Sequence, residues 1–252
     1  MLGLLVSHGS PTILIEDLPW KKELRELGEK IRREYEPDLV VVLSPHFMNW
    51  GEDNLIEAGE KLKCIQDYYG FPEELYRYCY EMPNDVEVAE KLSTFLRKDY
   101  QWGLDHGGWI PLYYMFPEGG IKCVTISISN RSPEEHYRLG VKIGEVLRET
   151  GRKPLVIATS SPTHRLDLYS LKVGRDTFFI FDHILQDLIE EGRFEEIVKI
   201  QQLFPKEFKN SSPEGDLKPL YVMLGIVRPT LGKVIYYDVP WPGVSMMLAS
   251  FQ

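Results

Sequence analysis

The sequence lacks an apolar run of about 18 residues, the length that a membrane-spanning helix needs. Its first residues, MLGLLVS, also lack the basic flank and the apolar length of a secretory signal. Both absences favour a cytoplasmic protein, and we expect no contact with a membrane.

Cysteine is scarce. The three cysteines, Cys64, Cys79 and Cys123, are odd in number and show no C-x-x-C spacing. This pattern argues against a disulfide framework and against a zinc site built from thiolates. We therefore expect free thiols or small buried apolar side chains.

Positive charge is in deficit, with 29 Lys and Arg against 38 Asp and Glu and a formal net charge of −9. Nucleic-acid binding needs a cationic face, so we expect no nucleic-acid partner and a small-molecule substrate instead. The remaining composition, 43% hydrophobic and 27% charged over 252 residues, is typical of a globular protein. No Pro-, Gly- or Ser-rich segment longer than 209–215 interrupts the chain, which predicts one catalytic domain over residues 1–252.

Apolar β-branched runs alternate with amphipathic helical patterns. The predicted strands lie at 2–7, 38–44, 123–129 and 155–161, and the predicted helices at 20–35, 85–99, 133–150, 176–192 and 215–225. Continuous apolar strands separated by helices predict an α/β fold, with a central, largely parallel (mixed) sheet flanked by helices on both faces. KVIYYDV and VSMMLASFQ are expected as closing strands, with antiparallel pairing as an alternative.

Four of the six histidines lie in turn-rich words at the ends of apolar runs: His8 in SHGSP, His46 in SPHF, His106 in DHGGW and His164 in SPTHRL. The carboxyl ends of parallel strands carry the ligand site in α/β sheets. Neutral imidazole is a good ligand for Zn²⁺ or Fe²⁺, so His8 and His46 on neighbouring strand ends would supply two metal ligands. The alternative is that each of these two histidines caps a turn.

A third metal ligand would be a carboxylate or another histidine. Glu214 and Asp216, in SSPEGDLKPLYVMLG, are the candidates, in a segment where acidic residues open a predicted helix. Acidic residues at a helix N-terminus are also stabilised by the helix dipole without any function.

The remaining histidines divide into two groups. His106 and His164 could exchange protons with a bound substrate near neutral pH, with metal ligation and a structural role as alternatives. His136 and His183 lie in charged helical stretches and are interpreted as structural helix residues.

Six words occur in a fixed order along the chain: HGSP, SPHF, DYYGFPEELY, WGLDHGGWIPLYYMFP, THRL and PLYVMLG. Together they resemble the class III (LigB-type) extradiol ring-cleavage dioxygenases, and in particular the branch that includes 4,5-DOPA dioxygenase. The resemblance spans the chain from His8 to the GVSMMLASFQ end. Such a resemblance implies a single α/β domain that cleaves a catechol-type ring with O₂, using non-haem Fe(II) or, in some members of this branch, zinc.

The resemblance also implies roles for particular residues. His8 and His46 match the two N-terminal metal ligands, His164 the acid/base catalyst, and His106 a histidine that contacts substrate or oxygen. The third ligand lies nine residues before the helix glycine, here Gly225, which selects Asp216. Aspartate is one methylene shorter than the glutamate of protocatechuate-type members, so Glu214 stays an alternative.

Other features leave alternatives open. Four aromatic side chains could form the wall of the substrate pocket or simply pack in the core: Tyr68, Tyr69, Phe71 and Trp109. Arg165 could hold a substrate carboxylate or form a surface ion pair. The competing functions are a metal-binding protein of the same fold without ring cleavage and a zinc hydrolase, although no H-E-x-x-H word supports the latter. The chain could pair with itself or with a small partner subunit, and of these we favour a homodimer.

Overall fold

The computed structural model describes the backbone of residues 1–171 and 179–252. The strands are β1 Leu2–Val6, β2 Leu39–Met48, β3 Leu55–Glu57, β4 Lys61–Leu62, β5 Met82–Pro83, β6 Arg97–Asp99, β7 Lys122–Ile128, β8 Pro154–Thr159, β9 Gly232–Trp241 and β10 Val244–Phe251. The helices are α1 Pro19–Glu34, α2 Val86–Leu92, α3 His106–Met115, α4 Pro133–Glu149, α5 Leu166–Leu171, α6 Ile180–Glu190, α7 Phe194–Val198, α8 Ile200–Leu203, α9 Pro205–Ser211 and α10 Lys218–Val227. Short 3₁₀ turns cover Pro11–Leu14, Glu73–Arg77 and Glu214–Leu217.

The main sheet has eight strands in the order β6-β3-β7-β2-β8-β1-β10-β9. Strands β7, β2, β8 and β1 run parallel, whereas β10 and β9 close the sheet in antiparallel pairing. The predicted α/β fold with a mixed, mostly parallel sheet is therefore confirmed, and the antiparallel alternative holds for the closing strands. Strand β8 lies between β1 and β2. The strand before His8 and the strand that carries His46 are therefore not direct neighbours, contrary to the expectation from the sequence.

Helices cover both faces of this sheet, as predicted. One face packs against α1 and α3 through large side chains such as Trp20 and Trp109. The opposite face packs against α2, α4, α6 and α10 through residues such as Ile143 and Leu220. Every residue of β1 and β8 is buried, which explains why these strands read as continuous apolar runs.

Three predicted helices have different bounds in the structure. The 85–99 segment divides into α2 and the short strand β6, which pairs with β3; three-residue strands are too short to give a periodic pattern. Helix α6 begins at Ile180, and positions 176–178 of the predicted helix lie outside the described residues. Helix α10 begins only at Lys218, because a left-handed turn precedes it.

Within residues 1–171 and 179–252, no helix combines the length and the apolar character needed to cross a bilayer.

The structure contains a disulfide between Cys64 and Cys79, whose Cα atoms are 5.8 Å apart. The expectation that these two cysteines are free or simply buried is therefore wrong. Their separation of 15 residues matches no short motif, and only the fold of the intervening loop brings them together. Gln66 helps to hold this loop closed, because its side-chain amide donates to the carbonyls of Tyr76 and Tyr78. Cys123 is a buried free thiol, as expected, and burial raises its pKa.

We predict that replacing both Cys64 and Cys79 by serine lowers the free energy of unfolding by about 3 kcal/mol, because the unfolded chain then regains the entropy of a loop of this length. Denaturant unfolding of the oxidised wild type and of the double variant measures the difference. A reductant should bring the wild type to the level of the variant and leave the variant unchanged. A count of three reactive thiols in the oxidised, unfolded wild type would contradict the disulfide.

Candidate metal centre and surrounding cavity

Four histidines meet at the carboxyl edge of the parallel strands. His8 follows β1, His46 lies near the end of β2, His164 follows β8, and His106 is the first residue of α3. The ring centroids of His46 and His106 are 4.2 Å apart, and each lies 5.1 Å from the centroid of His8. The prediction that two strands bring His8 and His46 to one edge is confirmed, and His106 and His164 join them there.

The donor atoms of this cluster converge tightly. His8 Nε2 and His46 Nε2 are 3.1 Å apart, and Glu214 Oε1 lies 3.2 Å from the former and 3.5 Å from the latter. His8, His46 and His106 also form a group whose possible ligand atoms all lie within 4.8 Å of one another. The cluster could therefore hold a metal ion.

Of the two acids before α10, Glu214 and not Asp216 reaches this cluster, so the expected placement of Asp216 is wrong. The Glu214 side chain is 7% exposed and contacts three histidines, because His164 Nε2 also lies 3.6 Å from Oε1. The Asp216 side chain is 58% exposed and lies 3.7 Å from Lys218 Nζ.

A left-handed turn explains the difference. Gly215, Asp216 and Leu217 have φ values of 58°, 53° and 59°, so the segment that carries both acids is not part of helix α10. Counting back nine residues from Gly225 assumed that helix α10 extends to Asp216. The helix begins only at Lys218, so the assumption does not hold. The turn sends the Glu214 side chain inward and the Asp216 side chain to solvent.

Two reciprocal hydrogen bonds fix Glu214 to the segment after β8. The Glu214 backbone N–H donates to the Ser161 carbonyl at 3.0 Å, and the Ser161 N–H donates to Glu214 Oε2 at 3.1 Å. One carboxylate oxygen is thus held by backbone, which leaves the other, Oε1, directed at the histidines.

Asp67 belongs to the site but was not predicted. Its Oδ2 lies 3.1 Å from His46 Nδ1, and its Oδ1 lies 2.8 Å from His106 Nδ1. The residue sits in the DYYGFPEELY word, in which only the aromatic side chains were considered. An acidic residue in a word shared with a family of metal enzymes was the available signal.

The site carries balanced buried charge. Burial opposes ionisation of Glu214, but the neighbouring imidazoles of His8 and His164 and the hydrogen bond from His46 hold its pKa well below the usual value. Burial likewise opposes ionisation of Asp67, but hydrogen bonds from His106 and His46 lower its pKa. Burial lowers the pKa of His106, whereas at His46 the hydrogen bonds to Asp67 and Glu214 outweigh burial and raise the pKa. Both carboxylates are therefore stabilised in the ionised form, and of the two only Glu214 directs an oxygen at His8 Nε2 and His46 Nε2.

A cavity of about 200 Å³ opens onto these donor atoms. Its apolar wall consists of Pro11, Tyr68, Phe71, Leu166, Tyr169 and Val244. Tyr69 points to solvent with 87% exposure, and Trp109 is a fully buried core residue that donates to the Ile65 carbonyl. Of the four candidate aromatic residues, Tyr68 and Phe71 therefore line the cavity and the other two do not.

Arg165 forms a surface ion pair. Its Nε and Nη2 donate to the two carboxylate oxygens of Asp167, and its Nη1 donates to the Asn210 carbonyl. This confirms the ion-pair alternative for Arg165.

The two histidines inside predicted helices lie outside the cluster. His136 lies on α4, and its Nε2 accepts a hydrogen bond from the Ser129 N–H. The ring of His183, on α6, contacts the ring of Tyr237.

The residues present fit a divalent metal. Three donors about 2.1 Å from one ion lie about 3.0 Å apart at right angles and about 3.4 Å apart in a tetrahedron. The triangle formed by His8 Nε2, His46 Nε2 and Glu214 Oε1 has edges of 3.1, 3.2 and 3.5 Å. Two imidazoles and one carboxylate form the donor set typical of non-haem iron and of catalytic zinc.

Comparison with known protein families agrees with this site. Residues 2–249 match the model of the LigB family, described as the catalytic LigB subunit of aromatic ring-opening dioxygenases. The chain belongs to the LigB family. Two similar relatives of this LigB-family protein carry the name 4,5-DOPA dioxygenase extradiol. One, from Beta vulgaris, is 29% identical over 98% of this chain and 94% of its own length. The other, from Escherichia coli K12, is 31% identical over 66% of this chain and 61% of its own length.

A solved structure supports the fold of this LigB-family protein. The crystal structure of an uncharacterized protein from Escherichia coli K12 matches with a TM-score of 0.72 and 20% sequence identity, and the match covers all of both chains. At this identity the likeness concerns the fold alone.

We predict that Gly215→Ala destabilises the LigB-family protein more than Gly151→Ala does. Both glycines have a positive φ, so an alanine at either position costs about 1–2 kcal/mol in a left-handed conformation. A Cβ on Gly215 would also lie 2.7 Å from Pro45 Cβ, whereas a Cβ on Gly151 meets nothing within 4 Å. This contact should add about 1–3 kcal/mol of overpacking to the effect at Gly215. Denaturant unfolding measures both, and equal losses would show that the Glu214 turn does not pack on the Pro45 segment.

Proposed function

We propose that this protein is a non-haem, metal-dependent extradiol dioxygenase that opens a small catechol-type ring with O₂. The observation that carries the proposal is the convergence of His8 Nε2, His46 Nε2 and Glu214 Oε1 at the mouth of an aromatic cavity, in a chain of the LigB family. We assign these three residues as the metal ligands. His106 and His164 are assigned to the substrate and to proton transfer.

Fe(II) is the proposed metal, and Zn(II) is the alternative. Imidazole and carboxylate donors accept both ions, so the donor set alone does not separate them. Membership of the LigB family favours iron, because an O₂-dependent ring cleavage needs a metal that can pass electrons between diol and oxygen. When bound, the metal would supply open coordination positions for the diol oxygens and O₂.

His164 is the proposed acid/base residue. Its backbone N–H donates to the Ser211 carbonyl at 3.0 Å, and its backbone pairs with Val244, so the imidazole is held at the cavity edge. The ring borders the cavity and is 28% exposed, so it can reach a substrate hydroxyl and exchange protons with water. His164 would take the second phenolic proton and return a proton later in the reaction.

His106 and the apolar wall would hold the substrate. The His106 ring lines the cavity between the rings of His46 and Tyr68, at 4.2 and 5.5 Å between centroids, where it could hydrogen-bond a substrate hydroxyl. Tyr68, Phe71 and Tyr169 offer faces and edges to an aromatic ring and keep water from one side of it. The cavity thus separates a polar end, where the diol would bind, from an apolar end for the ring.

The size of the cavity supports a single-ring substrate. About 200 Å³ is small beside the roughly 300–1,000 Å³ of sites that bind drug-sized ligands. Several relatives carry DOPA in their names, DOPA is a single-ring catechol, and we propose a substrate of this general class. A homodimer and a cytoplasmic location stay predictions from the sequence.

The ligand assignment predicts different metal affinities for two neighbouring acids. Glu214→Gln, His8→Ala and His46→Ala should each weaken Zn(II) binding by more than about 100-fold, because each alanine removes a metal donor and the glutamine replaces an anionic donor by a neutral amide. Asp216→Asn should bind like wild type, because the Asp216 carboxylate faces Lys218 and solvent. Titration with Zn(II) and metal content by mass spectrometry measure this. The reverse order for the Glu214 and Asp216 variants would return the ligand role to Asp216.

The acid/base assignment predicts a loss of rate without a loss of metal. After anaerobic reconstitution with Fe(II), the wild type should consume O₂ and form a yellow ring-fission product with at least one single-ring catechol. His164→Gln should retain its iron and lower kcat by about 10²–10⁴-fold, the usual contribution of a general acid/base. His183→Gln, on α6 and outside the cavity, is the matched control and should react like wild type.

Two results would contradict these proposals. An iron-loaded wild type that takes up no O₂ with any catechol would favour a metal-binding protein without ring-cleavage activity. Loss of iron from the His164 variant would make His164 a metal ligand, and its assignment to proton transfer would be wrong.

A further inference from the structure

The carboxylate of Asp67 contacts the Nδ1 atoms of two histidines, His46 and His106. Oδ2 lies 3.1 Å from His46 Nδ1, and Oδ1 lies 2.8 Å from His106 Nδ1. The backbone N–H of His106 also donates to Oδ1, at 2.9 Å. Asp67 is 16% exposed, and its contacts link the end of β2 to the start of α3.

These contacts fix where the imidazole protons lie. An ionised carboxylate can only accept hydrogen bonds, so each ring must present an N–H at Nδ1. When neutral, at alkaline pH or, for His46, with a metal ion in place of the Nε2 proton, each imidazole carries a single ring proton. With that proton on Nδ1, the lone pair of Nε2 is available in both rings. His46 Nε2 is the atom that faces His8 and Glu214 at 3.1 and 3.5 Å.

The loop that carries Asp67 is anchored at several points. The disulfide between Cys64 and Cys79 closes its ends. The Ile65 backbone N–H donates to the Leu104 carbonyl, and the Ile65 carbonyl accepts from Trp109 Nε1 on α3. Rigid support of this kind is needed if one carboxylate is to orient two rings.

We propose that Asp67 is a positioning residue that imposes the Nδ1–H tautomer on both His46 and His106. The role rests on the proposed function in one respect, because it prepares His46 Nε2 as a metal ligand. Asp67 also couples the two rings, because any change at Asp67 alters both His46, the proposed metal ligand, and His106, the proposed substrate-binding histidine. His106 then meets the substrate as a hydrogen-bond acceptor at Nε2, so a diol hydroxyl would donate to it.

Asp67→Asn is the informative variant. Asparagine has nearly the same shape, but its side chain offers one acceptor and one N–H₂ donor. The donor cannot face a ring N–H, so either His46 or His106 must give up its hydrogen bond or move its proton to Nε2. A proton on Nε2 blocks the lone pair that would bind metal or accept from substrate.

Asp182→Asn is the matched control. Asp182 is fully buried, and its carboxylate also accepts from two side chains, Thr163 Oγ1 at 2.6 Å and Tyr237 Oη at 2.8 Å. Hydroxyl groups can rotate to accept from an amide, so this control loses a buried carboxylate without forcing a tautomer to change.

The first measurement is long-range ¹H–¹⁵N NMR of the metal-free protein at alkaline pH, with the histidine rings assigned through single His→Gln variants. His46 and His106 should both carry the proton on Nδ1 in wild type and in the Asp182 variant. At least one of them should carry it on Nε2 in Asp67→Asn. A wild-type ring with the proton on Nε2, or unchanged tautomers in Asp67→Asn, would overturn the proposal.

The second measurement is Zn(II) affinity by competition with a chelator, with thermal unfolding to confirm that each variant is folded. Loss of a partner that orients a ligating histidine costs about 10–100-fold in metal affinity, and we expect this for Asp67→Asn and not for Asp182→Asn. Weaker binding with unchanged tautomers would mean that Asp67 acts only on packing, which also overturns the proposal. If wild type binds no Zn(II) or Fe(II), the proposed function fails, while the tautomers still decide the role of Asp67.

Discussion

The parallel pairing of β8 between β1 and β2 is the constraint on which the site depends. The register aligns Val6 of β1 with Thr159 of β8, and Leu43 of β2 with Ala158, so the three strands end at the same edge. His8 follows β1, His46 lies near the end of β2, and the segment after β8 supplies the backbone that holds Glu214, the proposed third ligand. Because β1 is fully buried and β2 is hydrogen-bonded to β8 and β7, the two imidazoles start from backbone that the sheet holds in place.

The third proposed donor, Glu214, lies far from His8 and His46 in the sequence, and backbone hydrogen bonds hold it beside them. Two hydrogen bonds between Glu214 and Ser161 hold the turn before α10 against the segment that follows β8. Burying a carboxylate is costly unless it is paired. Here His8, His46 and His164 surround Oε1 and offset that cost, so the contacts that stabilise Glu214 are also the ones that bring it to the proposed metal ligands.

A second layer of polar contacts sits behind the first. Asp67 holds the far side of two histidine rings, and the disulfide-closed loop that carries it also supplies Tyr68 and Phe71 to the cavity wall. The orientation of the His46 and His106 rings and the shape of the cavity therefore depend on the same loop.

The sequence by itself determined the α/β class, the mixed sheet and the meeting of His8 and His46 at one edge, because strand hydrophobicity and the residues that end each strand are local signals. The choice of Glu214 over Asp216 was decided only by tertiary structure. A left-handed turn is invisible to residue counting, and the close packing of Gly215 on Pro45 helps to hold it. The disulfide and the role of Asp67 were also hidden, because both depend on contacts between residues far apart along the chain, which no spacing rule records.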